Sequence, residues 1–209
     1  LALEGAGKTV RMVSLDGIPS TFKHLPGSGR VLKKPEGPYD LTIAVDCADH
    51  TRAGNSFDGL GKPGLNIDHH ITNDKFAEIN LIEVEQAATC AIVLDHLADW
   101  GLVLTQDIAS ALLTGIITDT LGFRTTSTTP HVLRQAASLL ETGVDMHELY
   151  VRGLVRKSFN AARYWGVGLS SIQQQDGITW ATLMLEDRKA SGYTTNDDAD
   201  LINHLSAID

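Results

Sequence analysis

Two short apolar runs in the first third of the chain end abruptly in polar side chains. Residues 41–45 (LTIAV) are nearly all apolar and are followed by Asp46, and residues 64–70 (GLNIDHH) end in an acid and two histidines. Continuous apolar strands of this kind are typical of parallel sheets covered on both faces. Because ligands of such sheets bind beyond the carboxyl ends of the strands, we expect Asp46 and residues 68–70 to meet in space.

The remaining pattern predicts further strands and a series of helices. Residues 9–16 (TVRMVSLD) and 178–186 (ITWATLMLE) are rich in β-branched residues and predict strands. Helical spacing predicts one helix over residues 87–98, one after a cap at Thr105, and one after Thr129 and Pro130. A closing helix is expected over residues 197–208, with Asp197, Asp198 and Asp200 biasing its first turn to negative charge.

These elements predict an α/β fold with a parallel sheet flanked by helices. We expect this first domain over residues 1–150, a glycine-interrupted helical connector over 151–170, and the beginning of a smaller α/β domain over 171–209. The opening residues LALEGAGK have the pattern of the last turns of a helix. We therefore expect the sequence to be incomplete at both ends.

Composition narrows the classes of function. The chain has 17 Lys plus Arg against 26 Asp plus Glu, a formal net charge of −9, which argues against a groove for duplex nucleic acid. No apolar run reaches the roughly 18 to 20 residues of a membrane span. Cys47 and Cys90 lie far apart, and we expect them to be buried thiols in a cytoplasmic protein rather than a disulfide or a zinc pair. An anionic substrate remains compatible with this negative net charge if bound metal ions neutralise the substrate.

Acids and histidines occur where the apolar pattern predicts burial. Asp46 and residues 68–70 follow strands, and Asp119 lies late in a predicted helix among Ile116, Ile117 and Leu121. A buried carboxylate needs a partner, and mixed oxygen and imidazole donors suit manganese, iron or zinc. Each residue also has a simpler interpretation. Asp46 and Asp119 are also compatible with caps at the ends of their elements, and His69 with a hydrogen-bonded core histidine.

Three segments, in order, resemble the motifs of a known family. VDCADHTR (residues 45–52), DHH (68–70) and GIITDTLGFRTTSTTP (115–130) resemble the second, third and fourth motifs of the DHH phosphoesterases. Residues 66–97 are most similar to the branch of bifunctional oligoribonucleases and pAp (3′-phosphoadenosine 5′-phosphate) phosphatases. The resemblance runs from about Val10 to the end of the chain.

The resemblance implies a site for two Mn²⁺ ions. Asp46 would bind or bridge the metals, and His69 and Asp119 would ligate the same ion. Asp68 would orient His69, as carboxylates commonly do for metal-bound imidazoles. Two such ions would lower the pKa of a shared water and stabilise the attacking and leaving oxygens.

The resemblance also implies roles around the metals. His70 would lie near the substrate phosphate, as proton donor to the leaving oxygen or as a phosphate contact, and is with Asp68 the predicted catalytic pair. Arg124 would approach the substrate. Asp49 and Arg52 would pair and support the loop.

The implied function is manganese-dependent hydrolysis of short oligoribonucleotides (nanoRNA) and of pAp. We expect short single-stranded RNA or a small nucleotide as substrate, no duplex nucleic acid and no membrane; a homodimer stays open. The family's first motif, His-x-x-Pro-Asp-x-Asp, and its Gly-Gly-His segment are absent from the sequence, so the fragment itself is expected to be nearly inactive. A cyclic-dinucleotide phosphodiesterase and a nucleotide-binding module without catalysis remain alternatives.

Overall fold

The chain forms two compact units. A computed structural model describes residues 1–54, 56–195 and 199–208. The first unit is Leu1–Val155 and the second is Arg156–Asp209. The assignment of residues 171–209 to the start of a smaller α/β domain stays a prediction.

A three-stranded parallel sheet forms the centre of the first unit. Its strands are β1 (Ile43–Val45), β2 (Leu65–Asp68) and β3 (Ile79–Ile82), in the spatial order β1-β2-β3. Val45 lies opposite Ile67, so the carboxyl ends of β1 and β2 meet at one edge of the sheet. The predicted parallel sheet is thereby confirmed. Strand β3 was not expected from the sequence pattern.

The predicted strand over residues 9–16 is wrong. Only Val13 forms a bridge, to Leu32, supported by hydrogen bonds from Leu32 N to the Met12 carbonyl and from Ser14 N to the Leu32 carbonyl. A β-branched run becomes a strand only where a partner of similar length runs beside it. Here the partner segment is followed at once by two lysines and Pro35, and proline cannot donate to a ladder.

Helices surround the sheet, and the three long ones were predicted. Both expected caps are present, since Thr105 accepts a hydrogen bond from Ile108 N and Thr129 accepts one from Val132 N. The helices of this unit are α1 (Ala2–Gly5), α2 (Thr89–His96), α3 (Gln106–Asp119), α4 (Pro130–Leu140) and α5 (Met146–Tyr150). Short 3₁₀ turns lie at Ser20–Phe22 and Ser28–Arg30, and a π-helical turn at Val151–Val155 follows α5.

Helix α3 runs through the core of this unit. Its buried side chains come from nearly every side of the helix, as its almost uniformly apolar sequence predicts. They are Ile108, Ala109, Leu112, Leu113, Thr114, Ile116 and Ile117. A helix fixed on all sides holds its last residue, Asp119, in a defined place.

Gly115 allows α3 to lie close to α2. A Cβ at this position would lie 2.2 Å from Sγ of Cys90 and 3.0 Å from its Cβ, far inside contact distance. We expect Gly115→Ala to lower the free energy of unfolding by about 1–3 kcal/mol, the usual cost of overpacking. Urea denaturation measures this loss. Cys90→Ala should restore most of the stability in the double variant, and equal losses in the single and double variants would contradict the close packing.

The second unit is small and mixed. It contains α6 (Phe159–Ser170), the antiparallel hairpin β4 (Gln173–Gln175) and β5 (Ile178–Trp180), and the helices α7 (Leu185–Ser191) and α8 (Ile202–Leu205). Ala161, Tyr164 and Ala199 form its buried centre. No helix among the described residues is both long and apolar enough to cross a membrane.

Two predictions for this unit need correction. The strand expected over residues 178–186 ends at Trp180, because its partner β4 has only three residues to pair with, and Leu185 begins a helix instead. The closing helix begins at Ile202, while Asp200 lies in a turn with a left-handed φ of 62°. Asp197 and Asp198 lie outside the described residues.

Candidate metal centre

His69 lies between two aspartates that come from different elements. Its Nε2 is 3.2 Å from Oδ2 of Asp119 and 3.6 Å from Oδ1 of Asp46. Asp46 directly follows β1, His69 directly follows β2, and Asp119 is the last residue of α3. The three predicted metal ligands are therefore brought together, at the carboxyl edge of the sheet where ligands of parallel sheets bind.

The burial expected for these acids is correct only for Asp68. The Asp68 side chain is fully buried, whereas 54% of the Asp46 side chain and 40% of the Asp119 side chain are exposed. The apolar pattern predicted burial from the neighbouring residues, but the side chains of Asp46, just after β1, and of Asp119, at the end of α3, partly face solvent. Asp46 and Asp119 thus remain accessible to a ligand that approaches from solvent.

The backbone at Asp46 turns sharply out of the strand. Asp46 has a φ of 56°, in the left-handed region that few residue types other than glycine and asparagine or aspartate tolerate. Its amide donates a hydrogen bond to the Ile67 carbonyl, and its Oδ1 accepts one from the Thr89 hydroxyl at 2.8 Å. The carboxylate is therefore fixed from β2 and from the first residue of α2.

The electrostatics favour a bound cation. Burial raises the pKa of Asp119, His69 beside it lowers this pKa, and the Asp46 carboxylate raises it again, so that it ends above its usual value. In the part of the chain that the structure describes, neither acid forms an ion pair with a lysine or arginine. The group thus carries excess negative charge, and its carboxylate and imidazole donors fit Mn²⁺, Fe²⁺ or Zn²⁺.

The neighbouring polar side chains enlarge this group of donors. One ligand-capable atom from each of Asp46, Asp68, His69 and His70 lies within 4.8 Å of the other three. Such a spacing allows several donors to reach one ion or two adjacent ions. Which of them ligate stays a prediction.

The expectation that Asp68 orients His69 is wrong. Asp68 Oδ1 accepts a hydrogen bond from Nδ1 of His70 at 2.7 Å, and its Oδ2 accepts one from Asn73 at 2.6 Å. The reason is the period of an extended chain, which places residues 68 and 70 on one side and 69 on the other. His69 instead directs Nδ1 to the Gln86 carbonyl at 3.2 Å, which leaves its Nε2 for the two aspartates.

Asp68 and His70 form a hydrogen-bonded pair beside the candidate ligands. Burial alone raises the pKa of Asp68, but the hydrogen bonds from His70 and Asn73 outweigh it and hold this pKa below its usual value. About a third of the His70 side chain is exposed, and its ring meets that of His69 edge-on at 4.6 Å. Because Nδ1 is held by Asp68, Nε2 is the nitrogen of His70 left to exchange a proton.

The other three predicted site residues are not part of this cluster. Asp49 accepts hydrogen bonds from the Thr51 hydroxyl and from the backbone amide of Arg52, so it supports the loop through the backbone rather than by the expected ion pair with the guanidinium. These hydrogen bonds lower the pKa of Asp49. Arg124 is exposed and follows a turn with left-handed φ angles at Leu121 and Phe123. No described contact joins its side chain to the candidate ligands.

Four polar residues that the sequence analysis did not single out hold the cluster in place. Thr89 contacts Asp46, Gln86 contacts His69 through its carbonyl, and Asn66 and Asn73 both donate to the Cys47 carbonyl. Asn66 is fully buried within β2, and an amide inside an apolar strand was the one available signal. Gln86 and Asn73 lie in connecting segments and Thr89 begins α2, positions where polar residues are common and carry no signal.

Thr89 tests how the Asp46 carboxylate is held. We expect Thr89→Val to weaken Mn²⁺ binding by about tenfold, because partners of a metal ligand commonly contribute 10–100-fold to affinity. Thr89→Ser, which keeps the hydroxyl, is the matched control and should bind as the unaltered chain does. Isothermal titration calorimetry measures both, and equal affinities for the valine and serine variants would contradict the role of the hydroxyl.

Comparison with known proteins agrees with the motifs. No family model matches the chain. The chain is 34% identical, over 98% of its length, to the bifunctional oligoribonuclease and PAP phosphatase NrnA of Thermus thermophilus. It is 28% identical over 52% of its length to a probable bifunctional oligoribonuclease and PAP phosphatase NrnA of Streptococcus mutans, and covers 35% of that protein. The chain spans 62% of the length of the Thermus relative.

A solved structure supports the fold. The chain superimposes with a TM-score of 0.82 on an exopolyphosphatase-related protein from Bacteroides fragilis, at 21% identity, covering 99% of the chain and 65% of that protein. The chain thus combines a parallel sheet and flanking helices with a cluster of aspartates and histidines that could hold a metal ion. In sequence, the chain is similar to the NrnA proteins named above, over nearly its whole length for the Thermus relative.

Proposed function

We propose that the chain forms the metal-binding part of a manganese-dependent phosphoesterase that hydrolyses short oligoribonucleotides and pAp. The observation that carries this proposal is the placement of His69 Nε2 between the carboxylates of Asp46 and Asp119. The names of the NrnA relatives support the choice of substrates. The formal charge of −9 is compatible with small anionic substrates whose charge is neutralised by bound metal rather than by a basic groove.

Each residue has a definite task in this proposal. Asp46, His69 and Asp119 would hold the metal ions. When bound, two Mn²⁺ ions supply positive charge for the phosphate and lower the pKa of a water molecule. His70 would bind the substrate phosphate or donate a proton from Nε2 to the leaving oxygen, and Asp68 would keep Nδ1 of that ring protonated. Arg124, exposed beyond α3, is retained as a predicted substrate contact.

The proposal is tested with the gene product that contains this chain. Under Mn²⁺ it should release mononucleotides from a 5′-labelled RNA dinucleotide and phosphate from pAp, and Asp46→Asn should lose at least about 100-fold of both activities. Cyclic diadenylate is included as a third substrate. Preferential cleavage of it would favour the cyclic-dinucleotide alternative.

Binding without turnover has its own outcome. If the gene product binds pAp but cleaves none of the three substrates with Mn²⁺, the nucleotide-binding alternative replaces the enzyme. The isolated chain, assayed beside it, tests the separate expectation that the 209-residue fragment is nearly inactive.

A further inference from the structure

One connecting segment touches two of the candidate metal ligands at once. Residues 83–89 lead from β3 into α2. Within them the Gln86 carbonyl accepts from Nδ1 of His69 at 3.2 Å, and the Thr89 hydroxyl donates to Asp46 at 2.8 Å. The position of this segment therefore determines how both ligands are presented.

The side chain of Gln86 is hydrogen-bonded to Asp95, which lies nine residues further along the chain, in α2. Gln86 Nε2 donates to Oδ2 of Asp95 at 2.7 Å, and a longer contact of 3.4 Å joins it to Glu83. The same residue thus uses its carbonyl for His69 and its amide group for Asp95. Gln86 therefore joins the Asp95 carboxylate to the His69 ring.

Asp95 is itself held from a different helix. Its Oδ1 accepts from Gln135 at 2.8 Å and its Oδ2 from Nε2 of His131 at 2.8 Å, both on α4. Gln135 is buried, with 4% of its surface exposed, and also donates to the Ala91 carbonyl, so it cannot easily move. Three side-chain donors therefore contact the Asp95 carboxylate and fix it in place.

We propose that Asp95 is a positioning residue that holds the Gln86 carbonyl against Nδ1 of His69 and so directs Nε2 toward the metal ions. The inference rests on the metal centre proposed above. A metal-bound imidazole needs its second nitrogen fixed by an acceptor, and a backbone carbonyl is one of the usual acceptors. What is particular here is that the carbonyl belongs to a turn, and that the turn is tied to α2 and α4 by side chains.

The first test is a double-mutant cycle on Mn²⁺ affinity. Asp95→Ala and Gln86→Ala break the same link, so each should weaken binding by about tenfold and the double variant should be no weaker than either. Gln86→Ala keeps the backbone carbonyl and removes only the side-chain amide. It therefore tests the link to His69 even if Asp95→Ala folds poorly. Additive losses, or no loss in either variant, would overturn the proposal.

The second test is independent of metal and of activity. The Nδ1–H proton of His69 is observed by NMR in the metal-free chain with ¹⁵N-labelled histidine, and is assigned among the eight histidines by loss in His69→Gln. We expect faster solvent exchange of this proton in Asp95→Ala and Gln86→Ala, and no change in the control Asp99→Ala, an exposed acid just beyond α2. A merely stabilising Asp95 would lower the melting temperature and leave this proton unchanged.

The two tests separate failure of the inference from failure of the proposed function. If the unaltered chain binds no Mn²⁺, the metal centre is wrong, and the NMR experiment still decides whether Asp95 fixes the Gln86 carbonyl. If Mn²⁺ binds and the solvent exchange of the His69 proton is unchanged in Asp95→Ala and Gln86→Ala, the positioning role is wrong. The metal centre is then unaffected.

Discussion

His69→Ala is expected to weaken Mn²⁺ binding by at least about 100-fold, the largest effect of any single change at the site. Loss of partners outside the metal shell costs 10–100-fold, and a direct ligand contributes at least as much. The variant also removes the imidazole that contacts both Asp46 and Asp119, so it no longer offsets the repulsion between the two carboxylates. Calorimetric titration of the chain with Mn²⁺ measures the change.

A matched histidine controls for general effects. His147 is exposed on α5, and His147→Ala should bind Mn²⁺ like the unaltered chain. If both variants bind with unchanged affinity, His69 is not a ligand and the hydrogen-bonded core histidine considered from the sequence becomes the better interpretation.

Asp68→Ala is expected to lower the free energy of unfolding by about 2–6 kcal/mol, since two hydrogen-bond donors lose their acceptor and each unsatisfied group costs about 1–3 kcal/mol. Asp68 is fully buried and accepts hydrogen bonds from His70 and Asn73. Both of these hydrogen bonds would be lost in the alanine variant. Asp68→Asn keeps the shape and one acceptor, and should cost about 1–3 kcal/mol. Urea denaturation of the metal-free chain measures both, with the exposed Asp99→Ala as control, expected within about 0.5 kcal/mol.

The lowered pKa of Asp68 also predicts how the free energy of unfolding depends on pH. The folded-state pKa of Asp68 lies below its usual value, so the unfolded chain takes up this proton at a higher pH than the folded one does. The stabilisation is therefore complete above the unfolded pKa of about 3.9 and is lost as the pH falls below it toward the folded pKa. Asp68→Asn should show a shallower loss of stability as the pH falls below about 4, and identical slopes would contradict the lowered pKa.

The sequence was informative where one element's pattern decides its structure. Strand β2 and helix α3 have apolar runs that end in Asp68 and Asp119, and the rule for ligands of parallel sheets brings Asp46 to His69 without any knowledge of contacts. The family motifs indicated the same residues independently. Similarity to the Thermus NrnA protein over nearly the whole chain agrees with these motifs.

The sequence was uninformative where a contact joins distant segments. Residues 9–16 have the composition of a strand, but strand formation depends on a partner that only the tertiary structure supplies. Gln86 reaches His69 through its backbone carbonyl, a group that every residue possesses, so no side-chain pattern reveals it. The pairing of Asp68 with His70 follows from the two-residue period of an extended chain, so it could have been predicted from the sequence.

The most direct test of the metal centre is an anomalous-scattering crystal structure of the chain with Mn²⁺. We expect a manganese peak whose distances to His69 Nε2 and to carboxylate oxygens of Asp46 and Asp119 are close to ~2.0–2.2 Å, the range of nitrogen and oxygen ligands of similar dications. A peak at other residues, or no peak at saturating Mn²⁺, would contradict the account.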